Sequence, residues 1–539
     1  MNKALRAALV ALALVGGTIV ATASPATAAT YTVTSGACLG PGTLADAISQ
    51  ANANPGADTI NLTVNVDDWY LASCGLPANR RMPVRITGAV TINGNGHSIL
   101  SSSTWIAGDG SVNNTTICPK NQPGVMFLSD PSGGFEIGAP STDNTGVDVT
   151  INDLTMDGLL NMAVVNDKAT LKLDAVQGKN IMDTRSCNNA AIEAGDGASL
   201  TVTDSKFSKL FNWAPTIGAA GVGVISGGGA ANLTISKSSF ENNLDAGAVM
   251  WLGNASSTVN IVSSQFANSG GVSIIGGPGP VTANIVNSAF GFSNFYPPDH
   301  IVASGDVTVN LTASTISASS SKCEGQTYQG QCAEPYGVLG VEGGGVINLV
   351  QSAVGVADPD GATRPNDVVA GGTGFTADAS SYVSPVAVQD AAALQTKFSQ
   401  PSLITGTPAL PTIADPAYYD TFVSSVTPLL GTSGTPGVLL DVIADSTCGG
   451  ANELVNPIDA SCITQDVFGN SRWDTGNNKR NIGAVQLSLS PHIQVTAVGD
   501  QFVSVGWTQP LNPGSGDITG YGLFYRPVGS GSWTRIDIS

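Results

Sequence analysis

Leu233-Thr-Ile235-Ser-Lys-Ser-Ser-Phe240 and Val259-Asn-Ile261-Val-Ser-Ser-Gln-Phe266 are two copies of one phrase. It returns as Ala283-Asn-Ile285-Val-Asn-Ser-Ala-Phe290, Val309-Asn-Leu311-Thr-Ala-Ser-Thr-Ile316 and Ile347-Asn-Leu349-Val-Gln-Ser-Ala-Val354. Earlier copies are Val149-Thr-Ile151-Asn-Asp-Leu-Thr-Met156 and Leu200-Thr-Val202-Thr-Asp-Ser-Lys-Phe207, with a weaker one at Ala169-Thr-Leu171-Lys-Leu-Asp-Ala-Val176. In each, an apolar residue is followed two positions later by another and seven positions later by a third. Two-residue alternation makes one face of a strand apolar. A corner containing Ser, Asn or Asp then turns the chain, and the seventh position starts a new strand that points inward again.

The closing positions of successive copies lie 20, 31, 33, 26, 24, 26 and 38 residues apart. A constant phrase with a remainder of variable length is what a solenoid gives when one corner is invariant and insertions decorate another side. Stacking would place Phe207, Phe240, Phe266 and Phe290 in an internal ladder with steps of ~4.8 Å. The dense Leu/Asn pattern of leucine-rich repeats and the signatures of propeller blades are both missing. The expected fold class is all-β, a right-handed parallel β-helix, and a long array of β-sandwiches is the competing reading.

Composition agrees with that. The 65 Gly and 29 Pro, with only 11% charged residues, suit many short strands and tight turns among 539 residues. A net charge of −19 leaves nothing basic to displace counterions from a phosphate backbone, so nucleic acid is not an expected partner.

Residues 1–29 read as a secretory signal: Lys3 and Arg6, an apolar run from Ala7 to Val20, then small residues ending in Ala26-Thr-Ala28-Ala29. That run has 14 residues, too few to span a bilayer, although an uncleaved N-terminal anchor is the rival reading. Cleavage after Ala28 or Ala29 would leave 19 basic against 40 acidic residues, a net charge of −21. No other stretch reaches eighteen apolar residues, so no membrane span is expected in the mature chain. The eight cysteines, Cys38, Cys74, Cys118, Cys187, Cys323, Cys332, Cys448 and Cys462, form no Cys-x-x-Cys pair. In an exported chain they read as disulfides, most simply joined as sequence neighbours: 38–74, 118–187, 323–332 and 448–462.

Both ends carry further patterns. Leu44, Ala47, Ile48 and Ala51 make an apolar stripe on a short helix stopped by Asn54-Pro55-Gly56, a natural cap for an open solenoid end. The run from Gly40 through Ala51-Asn52-Ala-Asn54-Pro55-Gly56-Ala-Asp58-Thr-Ile60, with Val90-Thr-Ile92-Asn-Gly94-Asn-Gly96-His97, resembles secreted and surface β-helix proteins of the Cys-Ser-Leu-Arg-Glu-Ala type. Ala45 stands where that signature has Arg. Gln465-Asp466-Val-Phe-Gly469-Asn-Ser-Arg472 and Arg480-Asn481-Ile482-Gly483-Ala484-Val485-Gln486 resemble the closing segment of choice-of-anchor surface proteins, with Asn481 and Gln486 in place of two acids. From residue 490 the pattern changes. Val503-x-Val505-x-Trp507 and Tyr521-x-Leu523-x-Tyr525 resemble the first half of a fibronectin type III domain, with Trp507 as its buried tryptophan. The expected order is a signal at 1–29, a capped β-helix at 30–355, irregular final coils with a return along the solenoid and a closing segment at 356–489, and an incomplete fibronectin type III domain at 490–539.

Chemistry is sparse in this chain. Acidic-polysaccharide lyases and hydrolases of this architecture would need signature clusters that are absent, among them Arg-x-Pro-x-x-Arg. No Gly-x-Ser-x-Gly elbow is present either, and there are three His in all. Carboxylates do fall at recurring positions: Asp157, Asp183, Glu241 and Asp245, and Asp299 beside His300. Glu241, Asp245, Asp299 and His300 are the catalytic candidates, since glycosidic cleavage needs two convergent carboxyl groups. Phe295 and Tyr296, beside Phe292, are candidates for stacking on a sugar. No metal site and no cofactor is expected, although exposed acidic loops in an extracellular setting are chemically suited to calcium. The leading expectation is a monomeric, exported cell-surface protein that binds extracellular polysaccharide or surface partners without catalysis. The alternative is a polysaccharide lyase or glycoside hydrolase. Converging Asp, Glu and Arg on one face would favour the enzyme, and a smooth face of Ser, Thr and Asn would favour the stalk.

Overall fold

The computed structural model describes residues 27–67, 84–100, 134–140, 143–159, 161–179, 181, 190–208, 223–241, 243, 247–267, 269, 271–277, 279–290, 301–317 and 339–356, with short strands alone beyond. The chain winds into a parallel β-helix whose coils stack along three ladders. Ala163–Val165, Thr170–Asp174 and Gln177–Lys179 form one coil, and each pairs in parallel with its counterpart in the next: Ile192–Ala194, Ser199–Thr203 and Lys206–Ser208. These ladders, numbered one to three in chain order, build an all-β solenoid of the right-handed kind that parallel crossovers favour.

The repeat phrase is the second strand, the corner and the third strand. In Ser199–Thr203 the alternation puts Leu200 and Val202 inside. Phe207, Phe240, Phe266 and Phe290 then stack inside ladder three, with ring centroids 5.0, 4.9 and 4.5 Å apart. The expected ladder is therefore present, at the spacing that hydrogen-bonded strands impose. Gly178 occupies the same row beside Phe207. A Cβ there would come within 2.6 Å of the Met162 sulfur, so methionine fills the place of the missing ring.

Only two residues make the corner. The first is left-handed in eight copies, at Asp153, Ala175, Asp204, Lys237, Ser263, Asn287, Ala313 and Gln351, with φ between 45° and 53°. Such backbone costs about 1–2 kcal/mol for a non-glycine residue. The second corner residue, a serine in six copies, offsets this. The Ser264 hydroxyl donates to the Val262 carbonyl at 2.9 Å and accepts from the Ser238 amide of the previous coil at 3.3 Å. Ser288 and Ser314 repeat the arrangement, with coil-to-coil distances of 3.2 and 3.1 Å. Buried at 0% exposure, these hydroxyls satisfy backbone donors that the bend takes out of the ladders.

The cap forms as its stripe requires. Helix α1 (Leu44–Ala53) buries Leu44, Ala47, Ile48 and Ala51, and Asn54 is its C-cap. The Thr43 hydroxyl caps its first turn by accepting from the Asp46 amide. At the other end the ladders run past residue 355, through Val368–Val369, Phe375–Ala377 and Tyr382–Val383. Further on, His492–Gly499 pairs with Phe502–Thr508 and Tyr521–Tyr525 with Thr534–Ile538, both antiparallel.

Candidate functional site

Side chains that leave the core leave it in rows, because parallel strands in register repeat each position from coil to coil. The outer surface of ladder two carries two long rows of uncharged polar residues. One runs through Ser199, Asn232, Thr258, Thr282 and Thr308. Beside it run Thr201, Thr234, Asn260, Asn284, Asn310 and Asn348. Rows on one strand lie roughly 6.5–7 Å apart, twice the rise per residue.

The asparagines bond along their row. Asn284 donates to Asn260, Asn310 to Asn284 and Asn348 to Asn310, each at 3.0 Å. The row ends with the Thr376 hydroxyl donating to Asn348 at 2.6 Å. Asn93 to Asn61 at 2.8 Å and Asn152 to Asn93 at 3.0 Å form a second such row in the first coils. A carboxamide used this way still has one N–H and acceptor capacity to spare. The face is therefore a regular grid of fixed donors and acceptors, with Thr282 exposed and Asn284 beside it buried. Such a grid suits the hydroxyls of a neutral ligand and holds no activated nucleophile.

Ion pairs among the described residues lie off this face. Arg85 and Glu136 face each other on adjacent strands of ladder one and pair at 2.9 Å, and Asn166 donates to the other Glu136 oxygen at 3.4 Å. Lys168 and Asp143 meet at 2.7 Å on the surface. The Lys168 ammonium, with the Thr145 hydroxyl and amide, holds the Asp143 carboxyl well below the usual range, and Asp143 pushes Lys168 up. Among the described residues no group of three His, Cys, Asp or Glu could hold a metal ion, and no helix is long and apolar enough to cross a membrane.

Of the catalytic candidates, Glu241 is described. It closes a strand of ladder three and pairs with Lys206 of the previous coil at 2.6 Å. Asp245, Asp299 and His300, with Phe295 and Tyr296, lie outside the described residues, as does Asp183. Cys38 is disulfide-bonded, and the seven other cysteines fall outside the described residues. The two rows of ladder two were not singled out from sequence. Their signal was in view, as the Asn between the two inward residues of four successive phrases.

No family model matches the chain, and no curated protein matches it. Solved structures do resemble it. One is Jun a 1, the major allergen from cedar pollen, at 16% identity and a TM-score of 0.28, covering 61% of this chain and 77% of that one. PfbA, a surface adhesin of Streptococcus pneumoniae, has 10% identity and a TM-score of 0.25, covering 66% and 93%. Tailspike protein 3 of bacteriophage CBA120 has 11% identity and a TM-score of 0.23, covering 64% of this chain and 54% of its own length. The ladders described above, not these likenesses, establish the fold.

Proposed function

We propose that this chain is an exported β-helix protein that presents the Thr/Asn face of ladder two to extracellular polysaccharide or another surface partner, without catalysis. The observation that carries this reading is the uncharged, regular outer surface of that ladder through the later coils, where one Asn bonds to the next. Pairing of Glu241 with Lys206 also supports it, since a carboxylate tied to an ammonium is a poor general acid. In the same reading residues 1–29 are a cleaved leader, the mature protein is a monomer at the cell surface or beyond it, and Cys38 pairs with Cys74. The last two strand pairs belong to a fibronectin type III module that holds the solenoid away from its anchor.

The test is to incubate the mature protein with a panel of neutral and acidic polysaccharides, with and without calcium. Binding without new reducing ends or unsaturated uronates is expected, and Thr282→Glu should weaken it at least about tenfold, as one misplaced charge on a neutral face does. Product formation that disappears in Glu241→Gln or Asp299→Asn would replace this reading with the lyase or hydrolase.

A further inference from the structure

Asp58 opens the strand Asp58–Leu62, where alternation turns Asp58, Ile60 and Leu62 inward, and it is 1% exposed. Its Oδ1 accepts from the Asn54 side-chain amide at 2.7 Å and from the backbone N–H of Ala29 at 2.7 Å. Its Oδ2 is buried and has no partner. A carboxylate out of water, served by two neutral donors on one oxygen, is a costly arrangement that calls for a cation. No described lysine or arginine pairs with it.

The donor at Ala29 is unusual for its place in the chain. Its carbonyl accepts from the Thr59 amide at 2.8 Å, so Ala29 already belongs to the first coil. The two residues before it, Thr27 and Ala28, are exposed. The cleavage pattern Ala26-x-Ala28 ends one bond short of the nitrogen that meets Asp58.

We infer that the leader is cut between Ala28 and Ala29, and that the α-ammonium so created on Ala29 is the counter-charge of Asp58. This rests on the export reading. Water, delivered by a leader peptidase, adds its oxygen to the Ala28 carbonyl carbon as the C–N bond breaks. Ala28 leaves as a carboxylate, and the Ala29 nitrogen takes up protons. An α-amine has an ordinary pKa of ~7.7–8.0, so it is charged at neutral pH, and a facing carboxylate holds it charged more firmly. One N–H donor becomes three, and a lone buried charge becomes a pair. The loss on the other side is one surface hydrogen bond, from Asn54 to the Thr27 carbonyl at 2.8 Å. Cutting after Ala29 instead would remove the donor nitrogen and leave Asp58 with Asn54 alone.

The first measurement is the N-terminal residue of the protein secreted by an exporting host, expected to be Ala29. A start at Thr30 overturns the inference, and a secreted or membrane-held chain with its leader intact overturns the export reading itself. The second measurement compares chains released from a cleavable fusion to start at Ala29 or at Thr27. The Ala29 start should melt higher by about 2–4 °C, and Asp58→Asn should abolish that difference. Its α-amine should also be acylated at least about tenfold more slowly than that of the Thr27 start, a readout that needs no substitution. Equal reactivity of the two amines, or a melting difference that survives Asp58→Asn, would overturn it.

Discussion

The corner between ladders two and three is the same turn in early and late coils, yet its outer surface is opposite in character. In the early coils Asp174, Ala175, Asp204 and Lys206 are exposed there. In the late coils the equivalent places hold Val286, Asn287, Ala313 and Thr315, none more than 2% exposed. Val262, Val286 and Ala313 form an apolar cluster of their own, apart from the main core. Inside, the two regions differ little: a buried apolar or serine residue in the corner, then an inward place on ladder three that a side chain or, at Gly178, the Met162 side chain fills. Stacking constrains each interior to match its neighbours, while the exterior answers only to what lies outside. What the solenoid meets is therefore recorded on its outward residues.

The interior half of that comparison carries the largest effect. Phe266 has rings on both sides at 4.9 and 4.5 Å, and Phe266→Ala should cost about 3–5 kcal/mol in urea unfolding. An equal loss at Phe240 would confirm that the stack is uniform. The exterior half is tested by a matched pair, since Ala175 and Ala313 are both left-handed, a conformation aspartate tolerates. Ala313→Asp places a charge where exposure is 1% and should cost about 3 kcal/mol, whereas Ala175→Asp should stay within about 0.5. Equal effects would erase the distinction between the two corners. Next comes Ser288→Ala, which takes the acceptor from the buried Ser264 amide and should cost about 1–3 kcal/mol by the same measurement.

The smallest effect belongs to the exposed pair Lys168 and Asp143. A carboxyl held low in the folded state stabilises above its unfolded pKa, and that contribution fades as pH falls through the lower folded value. Solvent screens this pair, so Lys168→Ala should leave the melting point unmoved. The carboxyl of Asp143, followed by NMR, should stay unprotonated through the ordinary aspartate range near ~3.9 and titrate closer to that range in the variant, where the Thr145 hydroxyl and amide alone still hold it down.

The stacked phenylalanines and helix α1 were legible because their information is local. A two-residue period, a seven-residue step and an apolar stripe each show in a short window. The left-handed corner was not, because Asp153, Ala175, Lys237 and Gln351 share no chemistry that marks a turn. Nor was the serine column, since a serine read alone belongs on a surface, and only a neighbouring coil supplies the amide it accepts from. Glu241 was chosen from sequence as a catalytic candidate for its place in the repeat. Its partner Lys206 comes from the previous coil, and register alone joins them.

By itself the sequence determined a solenoid of parallel strands, its apolar interior and the helix that closes its first coil, because burial periodicity is written along the chain. Only the tertiary structure decided which side chains bond across the coils. Asn260, Asn284, Asn310 and Asn348 become one hydrogen-bonded row, and Ala29 meets Asp58, through contacts that span a full coil or more. The repeat phrase marks which positions recur, but the bond between two of them exists only once whole coils are wound and stacked, and no short window of sequence contains both partners.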